Sequence, residues 1–396
     1  MALRSDAIWV ADESGLTAML EALALSDRVA IDTEFHGERS YIPQLMLLQI
    51  ATKDAIYLVD PLAEIDLLPV FELLAAPTPL VIGHAVHNDL EIVYLRYGLR
   101  LQGVFDTQIA GAFLGHGLQA GLAALLNTVL SVRLPKDGQM SDWSRRPLPP
   151  RQSDYAANDV RYLLDLHDFM AGELDRLGRT RWVDEECASL WADGRYVRNS
   201  ELAWRRVSGA RGLRHPQTGI LVELAAERDR IAAELDRIPH HVLSDDLLLA
   251  VCRAAPTDLE SFSGDRRFRN RQLHRYADRL LAAIERGRHR KVERTPRRPL
   301  PPPGSDTVAA LIMMLVGDIA EREELAPQLL LRRKTLLAAL AEDVSSVEAM
   351  ATTLELSGWR GELLIDPIWG LLSGRRSARC RRRGRTLQVI FEADDK

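Results

Sequence analysis

The sequence predicts a mixed α/β domain followed by two all-α domains. Three observations predict this. Short apolar runs alternate with helical stretches through about residue 130. Beyond about residue 185 no convincing strand occurs until the last dozen residues. A Pro- and Leu-containing pattern occurs twice in the C-terminal half at one constant offset. The expected boundaries are 1–200 for the α/β domain, 211–287 for the first helical domain, 288–304 for a basic, Pro-rich linker, and 305–396 for a second, divergent helical domain with an arginine-rich tail.

The runs VAIDTEF (29–35), QLMLLQIA (44–51) and AIYLVD (55–60) lie too close together for crossover helices, so they predict an antiparallel meander. A helix around LLPVFELLAA, a strand PLVIGH (79–84) and a helix HNDLEIVYLRYG closed by Gly98 follow. GVFDTQ reads as a short strand leading into further helix. These βαβ units extend the meander into a mixed sheet flanked by helices. An ordered Pro- and Arg-rich loop precedes a helix that starts near Pro150, with Ser153 as the expected N-cap. In the repeat, Pro239 aligns with Pro327, Leu243 with Leu331, and Leu248-Leu249 with Leu336-Leu337. The stretch 374–385 is an arginine run, either a solvated tail or a phosphate-binding arm.

Of the 396 residues, 46% are hydrophobic and 27% charged, the balance of a globular protein. A net charge of -5 removes any whole-chain basic signal, so nucleic-acid binding must come from local patches. Three scattered cysteines form neither a disulfide framework nor a zinc pattern and fit a reducing cytoplasm. No apolar run reaches the length of a membrane span.

Asp32 and Glu34 are two apart in an apolar strand, which puts both on one face. Side by side in a core they repel and are costly to desolvate, and no flanking Lys or Arg compensates them. Divalent cations are the natural counter-charge, although a solvated strand end would also accommodate the pair. Asp89 sits in the first turn of a helix after a strand, where an acid is also a plain helix-terminal residue. Tyr155 and Asp159 are four apart and share one helix face, as a surface pair would. Asp106 reads as structural, a cap.

The order of these residues carries the information: D-x-E in a strand, an acid at a strand-to-helix turn, then Y-x-x-x-D in a late helix. This resembles the DEDD superfamily of 3′–5′ exonucleases, in its tyrosine-bearing subclass. DTEFHGERSYIPQLMLLQIA, GHAVHNDLEIV, FDTQIAGAFLG and SDWSRRPLPPRQSDYAANDVRYLL resemble bacterial ribonuclease D more closely still, and the C-terminal half is similar to its tandem HRDC domains. The resemblance implies a ribonuclease-H-like exonuclease domain and two HRDC-like domains. It implies a metal-dependent 3′–5′ exoribonuclease that releases nucleoside 5′-monophosphates from RNA 3′ ends such as those of tRNA precursors. Two Mg²⁺ or Mn²⁺ ions would lie ~3.5–4 Å apart. Asp32 would bridge them, Glu34 and Asp159 would complete the nucleophile-side ion, Asp89 would serve the other, and Tyr155 would orient the attacking water.

Other residues carry less specific signals. Phe35 faces away from Glu34 in a regular strand, which favours core packing over stacking on a terminal base. Lys136, Arg145 and Arg146 are candidate phosphate contacts in the loop before the last motif. Trp143 is expected to be a packing anchor, and His36, His84 and His87 lack metal spacing. The basic, aromatic-punctuated stretch 263–281, with Phe268 and Tyr276, is a candidate RNA surface. In the second repeat Ser244-Asp245-Asp246 becomes Arg332-Arg333-Lys334, so that copy should contribute more to salt-dependent affinity. Two alternatives stand beside the exoribonuclease: a 3′–5′ exonuclease acting on DNA, and a non-catalytic RNA-binding scaffold. The uncompensated acids argue against the scaffold.

Overall fold

The structure, a computed structural model, describes residues 6–135, 142–192, 194–210, 213–264, 271–292, 299–342, 344–383 and 386–393. Strand β1 (Ile8–Val10) leads into helix α1 (Glu13–Ala24), whose N-cap Asp12 accepts from the Gly15 amide. Then come β2 (Arg28–His36), β3 (Gln44–Ala51), β4 (Ile56–Val59), α2 (Leu68–Leu74), β5 (Leu80–Gly83), α3 (His87–Tyr97), β6 (Val104–Asp106), α4 (Thr107–Phe113), α5 (Leu122–Leu130), α6 (Pro150–Arg161), α7 (Leu163–Arg176) and α8 (Thr180–Ser189).

The sheet order is β1-β4-β3-β2-β5-β6. Strand β3 is antiparallel to β2 and to β4, as the meander requires, while β5 and β6 run parallel to β2. The edge strand β1, parallel to β4, has three residues, too few to show a period. Strand β2 is central. Val29 and Ile31 enter one core with Met19, Phe71 and Val93, and Ala30 enters the other with Val160, Leu166 and Met170. Apolar residues on both faces explain why this strand reads as a continuous run.

A 3-10 segment (Ser200–Arg206) precedes α9 (Gln217–Glu234), α10 (Pro239–Val242), α11 (Asp245–Ala254), α12 (Leu259–Gly264), α13 (Arg271–Arg275) and α14 (Ala277–His289). Next come α15 (Ser305–Arg322), α16 (Pro327–Leu330), α17 (Arg333–Ala339), α18 (Val347–Thr353) and α19 (Gly358–Leu372). The repeat is physical. Helices α9 and α15 both have 18 residues, and α10 and α16 are both single turns opened by proline. Leu243 and Leu331 then share extended backbone. Helices α9 and α14 cross so closely that a Cβ on Gly219 would lie 2.4 Å from the Gly287 carbonyl oxygen.

Three local expectations are corrected. Helix α6 is capped by Pro149, in extended backbone, with Pro150 at its first position; Ser153 is already inside the helix. The expected linker begins late, because α14 runs to His289 and Arg290 binds Glu223 and Glu201. The arginine run is a strand, β7 (Arg376–Arg383), paired antiparallel with β8 (Thr386–Ala393). Its partner TLQVIFEA carries the strand propensity, and arginine's aliphatic stem tolerates such pairing. Residues 265–270, with Phe268, and residues 293–298 lie outside the described residues.

Candidate catalytic metal site

Three of the sequence-predicted acids converge. Oxygens of Asp32, Glu34 and Asp159 all lie within 4.8 Å of one another. Strand β2 supplies the first two from one face, and α6 lies across that face, bringing Asp159 and, one turn earlier, Tyr155. Trp143 anchors this corner as expected; it is buried, with its ring 6.1 Å from that of Tyr155.

Asp89 stands beside the three but is held separately. It is buried, and the Thr33 hydroxyl donates to its carboxylate. The turn that carries it is built by Asp106, the last residue of β6. One Asp106 carboxylate accepts from the amides of Ala85 (3.0 Å), Val86 (3.0 Å), Gln108 (2.8 Å) and Ile109 (3.3 Å). The cap expectation therefore holds, and the same carboxylate also stabilises Ala85 at φ 57. Glycine is required at the end of β5, since a Cβ on Gly83 would meet Val86 Cγ1 at 2.2 Å.

The electrostatics fit a cation site. Burial, then the charges of Asp89, Asp159 and Glu34, push Asp32 well above the usual carboxylate range. Glu34 is pushed up to about 8 by burial, then by Asp159 and Asp89. Burial raises Asp89 to about 7 despite the Thr33 hydrogen bond, and burial raises Asp159 to about 7. Among the described residues no Lys or Arg lowers any of the four. A buried acid cluster without basic partners, offering only carboxylate oxygens, suits a hard divalent cation. Tyr155 is raised by burial and then by the neighbouring acids, so its phenol stays protonated.

Two depressions reach the cluster, one at Glu34 and the other at Asp159. A groove of about 950 Å³ is lined by Glu34, Phe35, His36, Met46, Trp143 and Asp236. A smaller pocket of about 220 Å³ is lined by Leu134, Pro135, Arg151, Tyr155, Asn158 and Asp159, among others. Phe35 packs on the core, as favoured, and its half-buried ring also reaches the groove. The β2–β3 register shifts between Glu34 and Phe35.

Of the candidate phosphate contacts, Arg146 is an architectural residue, which corrects the expectation. Its guanidinium donates to both Asp60 oxygens (2.7 Å each), to the Met46 carbonyl (2.6 Å) and to the Trp143 carbonyl (2.8 Å). The buried Asp60 carboxylate demands that partner. Arg145 is exposed, and Lys136 lies outside the described residues. Two of the histidines serve structure: His84 meets the Thr107 hydroxyl at 3.0 Å and His87 the Tyr196 hydroxyl at 2.9 Å, while His36 lines the groove.

Sequence reasoning missed Thr33 and Gln49. Thr33 lies inside the D-x-E motif itself. Gln49 is wholly buried opposite Asp32 across the β2–β3 ladder, with neither amide atom hydrogen-bonded among the described residues. An amide inside the apolar run QLMLLQIA was the available signal.

This fold and acid set define a 3′–5′ exonuclease. A family profile described as 3′-5′ exonuclease matches residues 7–175, and one described as HRDC domain matches 217–284. The chain is 33% identical over 367 residues to ribonuclease D of Granulibacter bethesdensis, covering 91% of both. It is 30% identical over 371 residues to ribonuclease D of Escherichia coli, covering 92% of this chain and 97% of that one. The crystal structure of Escherichia coli RNase D, titled as an exoribonuclease involved in structured RNA processing, superimposes with a TM-score of 0.78 at 29% identity, covering 93% of this chain and 99% of that chain. The chain belongs to the ribonuclease D family. It is a 3′–5′ exoribonuclease, a hydrolase of RNA, and its family depends on divalent metal. Among the described residues no helix is long and apolar enough to cross a membrane.

Proposed function

We propose that Asp32, Glu34, Asp89, Tyr155 and Asp159 are the catalytic set, and that they hydrolyse the last phosphodiester of structured RNA 3′ extensions, such as those of tRNA precursors, with two Mg²⁺ or Mn²⁺ ions. The observation that carries this reading is the approach of three carboxylates to within 4.8 Å, with Tyr155 one helical turn from the third. Bound ions would acidify a water and stabilise charge on the departing 3′ oxygen. Asp32, Glu34 and Asp159 would hold them, with Asp89 as the additional acid that Thr33 keeps in place. The protonated Tyr155 phenol would orient the water. Water oxygen bonds to phosphorus, the bond from phosphorus to the 3′ oxygen breaks, that oxygen takes a proton, and a nucleoside 5′-monophosphate leaves.

The groove beside Glu34 would receive the single-stranded 3′ end, with Phe35 available for base stacking. The constant offset from α9–α11 to α15–α17 supports a second, divergent HRDC-like unit after the first. Three free cysteines accord with a cytoplasmic site of action.

The test is a 5′-labelled RNA with a 3′ extension, with and without Mg²⁺ or Mn²⁺, beside a DNA of the same sequence. A ladder shortening from the 3′ end, absent in Asp32→Asn, is expected on RNA. Absence of any metal-dependent product on RNA overturns the reading, and faster cleavage of DNA turns it to the deoxy polymer.

A further inference from the structure

The loop from β2 to β3, residues 37–43, leaves the catalytic strand and crosses to the first helical domain. Its anchor is Tyr41. The phenol donates to Asp229 Oδ2 at 2.8 Å, and the amides of Tyr41 and Ile42 donate to Asp236 Oδ1 at 3.0 and 3.4 Å. Arg198 donates to the Tyr41 carbonyl and lies over its ring, 4.6 Å from the centroid. Asp229 is buried on α9, and the ring packs against the helical domain's core. Asp236, just past α9 at φ 46, also lines the groove beside Glu34. The groove is therefore lined from both the exonuclease domain and the end of α9, and Tyr41 bonds across between them. Burial and Asp229 raise the phenol to about 12, so it remains a donor.

We propose that Tyr41 is a positioning residue: by tying the β2–β3 loop to Asp229 and Asp236, it sets the width of the groove through which the RNA 3′ end reaches the acids. The first helical domain then contributes to turnover through geometry as well as through affinity for RNA. This rests on the reading that the groove beside Glu34 takes the 3′ end. A hydrogen bond to a carboxylate is worth about 1.5–3 kcal/mol, so its loss shifts an equilibrium about tenfold or more.

The experiment compares Tyr41→Phe, Tyr41→Ala, Asp236→Ala and Asp236→Asn on two substrates. One is an RNA with a single-stranded 3′ extension. The other is the p-nitrophenyl ester of a nucleoside 5′-monophosphate, too small to span the groove. For Tyr41→Phe and Asp236→Ala, kcat/KM on RNA should fall about tenfold. For Tyr41→Phe, at a residue that does not line the groove, kcat/KM on the ester should fall less than about twofold. Asp236→Asn keeps an acceptor oxygen and tolerates positive φ, so it should restore RNA turnover. Wild-type kcat/KM on RNA in Tyr41→Phe and Asp236→Ala overturns the proposal, as do equal losses on both substrates in Tyr41→Phe. A binding arm needs no turnover. In the Asp32→Asn background, Tyr41→Ala should weaken binding of the tailed RNA about tenfold more than that of a blunt duplex. Equal weakening also overturns it. An inactive wild-type chain instead sinks the catalytic reading and leaves the binding arm to decide this one.

Discussion

At the level of single residues, the site is a set of acids that the fold keeps under electrostatic pressure. Asp89 and Asp159 shift from 3.8 to about 7, and Glu34 from 4.5 to about 8. Raised folded-state values mean that the native state binds more protons than the unfolded chain between those limits. The cluster's stabilising contribution is thus fully present below about pH 4 and is lost as pH rises towards about pH 8. Thermal unfolding in chelator should show the midpoint falling over that window, and Glu34→Gln should flatten the fall. A slope unchanged by the substitution would remove the cluster as its source. Added Mn²⁺ should raise the midpoint most at the upper end, where the acids are ionised. Thr33 supplies a second prediction. Its hydroxyl stabilises the charged form of Asp89, so Thr33→Val should raise that pKa further. The acidic limb of the pH–rate profile should move to higher pH, with activity recovering as pH rises. A uniform loss at every pH would instead mean a displaced backbone.

At the level of elements, the acids depend on how strand ends and helix starts are joined. The strand β2 and the helix α6 are legible because their periods are clean: Asp32 and Glu34 at spacing two, Tyr155 and Asp159 at spacing four. The turn that carries Asp89 is less legible, since it is made by Asp106 from another strand, twenty residues or more along the chain. Asp106→Ala leaves four amides without this acceptor and should destabilise the protein by about 2–4 kcal/mol. Denaturant unfolding checks the loss, and kcat should fall with it as Asp89 shifts. A stable but inactive variant would place Asp106 in the chemistry itself. Arg146 shows the opposite failure. In the sequence it is one of several arginines near the last motif, and nothing local reveals that Asp60, from the end of β4, claims its guanidinium.

At the level of the whole molecule, the C-terminal helices share a core with the exonuclease domain. Trp359 is fully buried, stacked on Trp182 at 5.3 Å and edge-on to Phe113 at 4.9 Å, and its indole N–H donates to Glu186 at 3.0 Å. Arg179 is buried beside it and donates to the carbonyls of Phe113 and Glu323. Trp359→Ala should cost about 3–5 kcal/mol and lower the unfolding midpoint of the whole exonuclease domain. A biphasic transition with the exonuclease phase unmoved would show that the C-terminal unit docks independently. Deletion of 305–396 would strip this shared core, so the salt dependence of RNA binding is better tested by charge substitutions at the exposed Arg332 and Lys334.

The sequence by itself determined most of the elements, though not β1 or β7, and singled out the acids that the structure then brings together or sets side by side. Period, spacing and uncompensated charge are local properties that survive without coordinates. The repeat was legible for the same reason: its prolines and leucines recur at one offset. Only the tertiary structure decided that three carboxylates close to within 4.8 Å, while Asp89 is held aside by Thr33. It also decided that Arg146 is committed to Asp60, and that Tyr41, just past β2, joins a helical domain nearly two hundred residues away. These are long-range pairings. Each is fixed by which buried charge or carbonyl lies within reach after packing, and no local pattern encodes that.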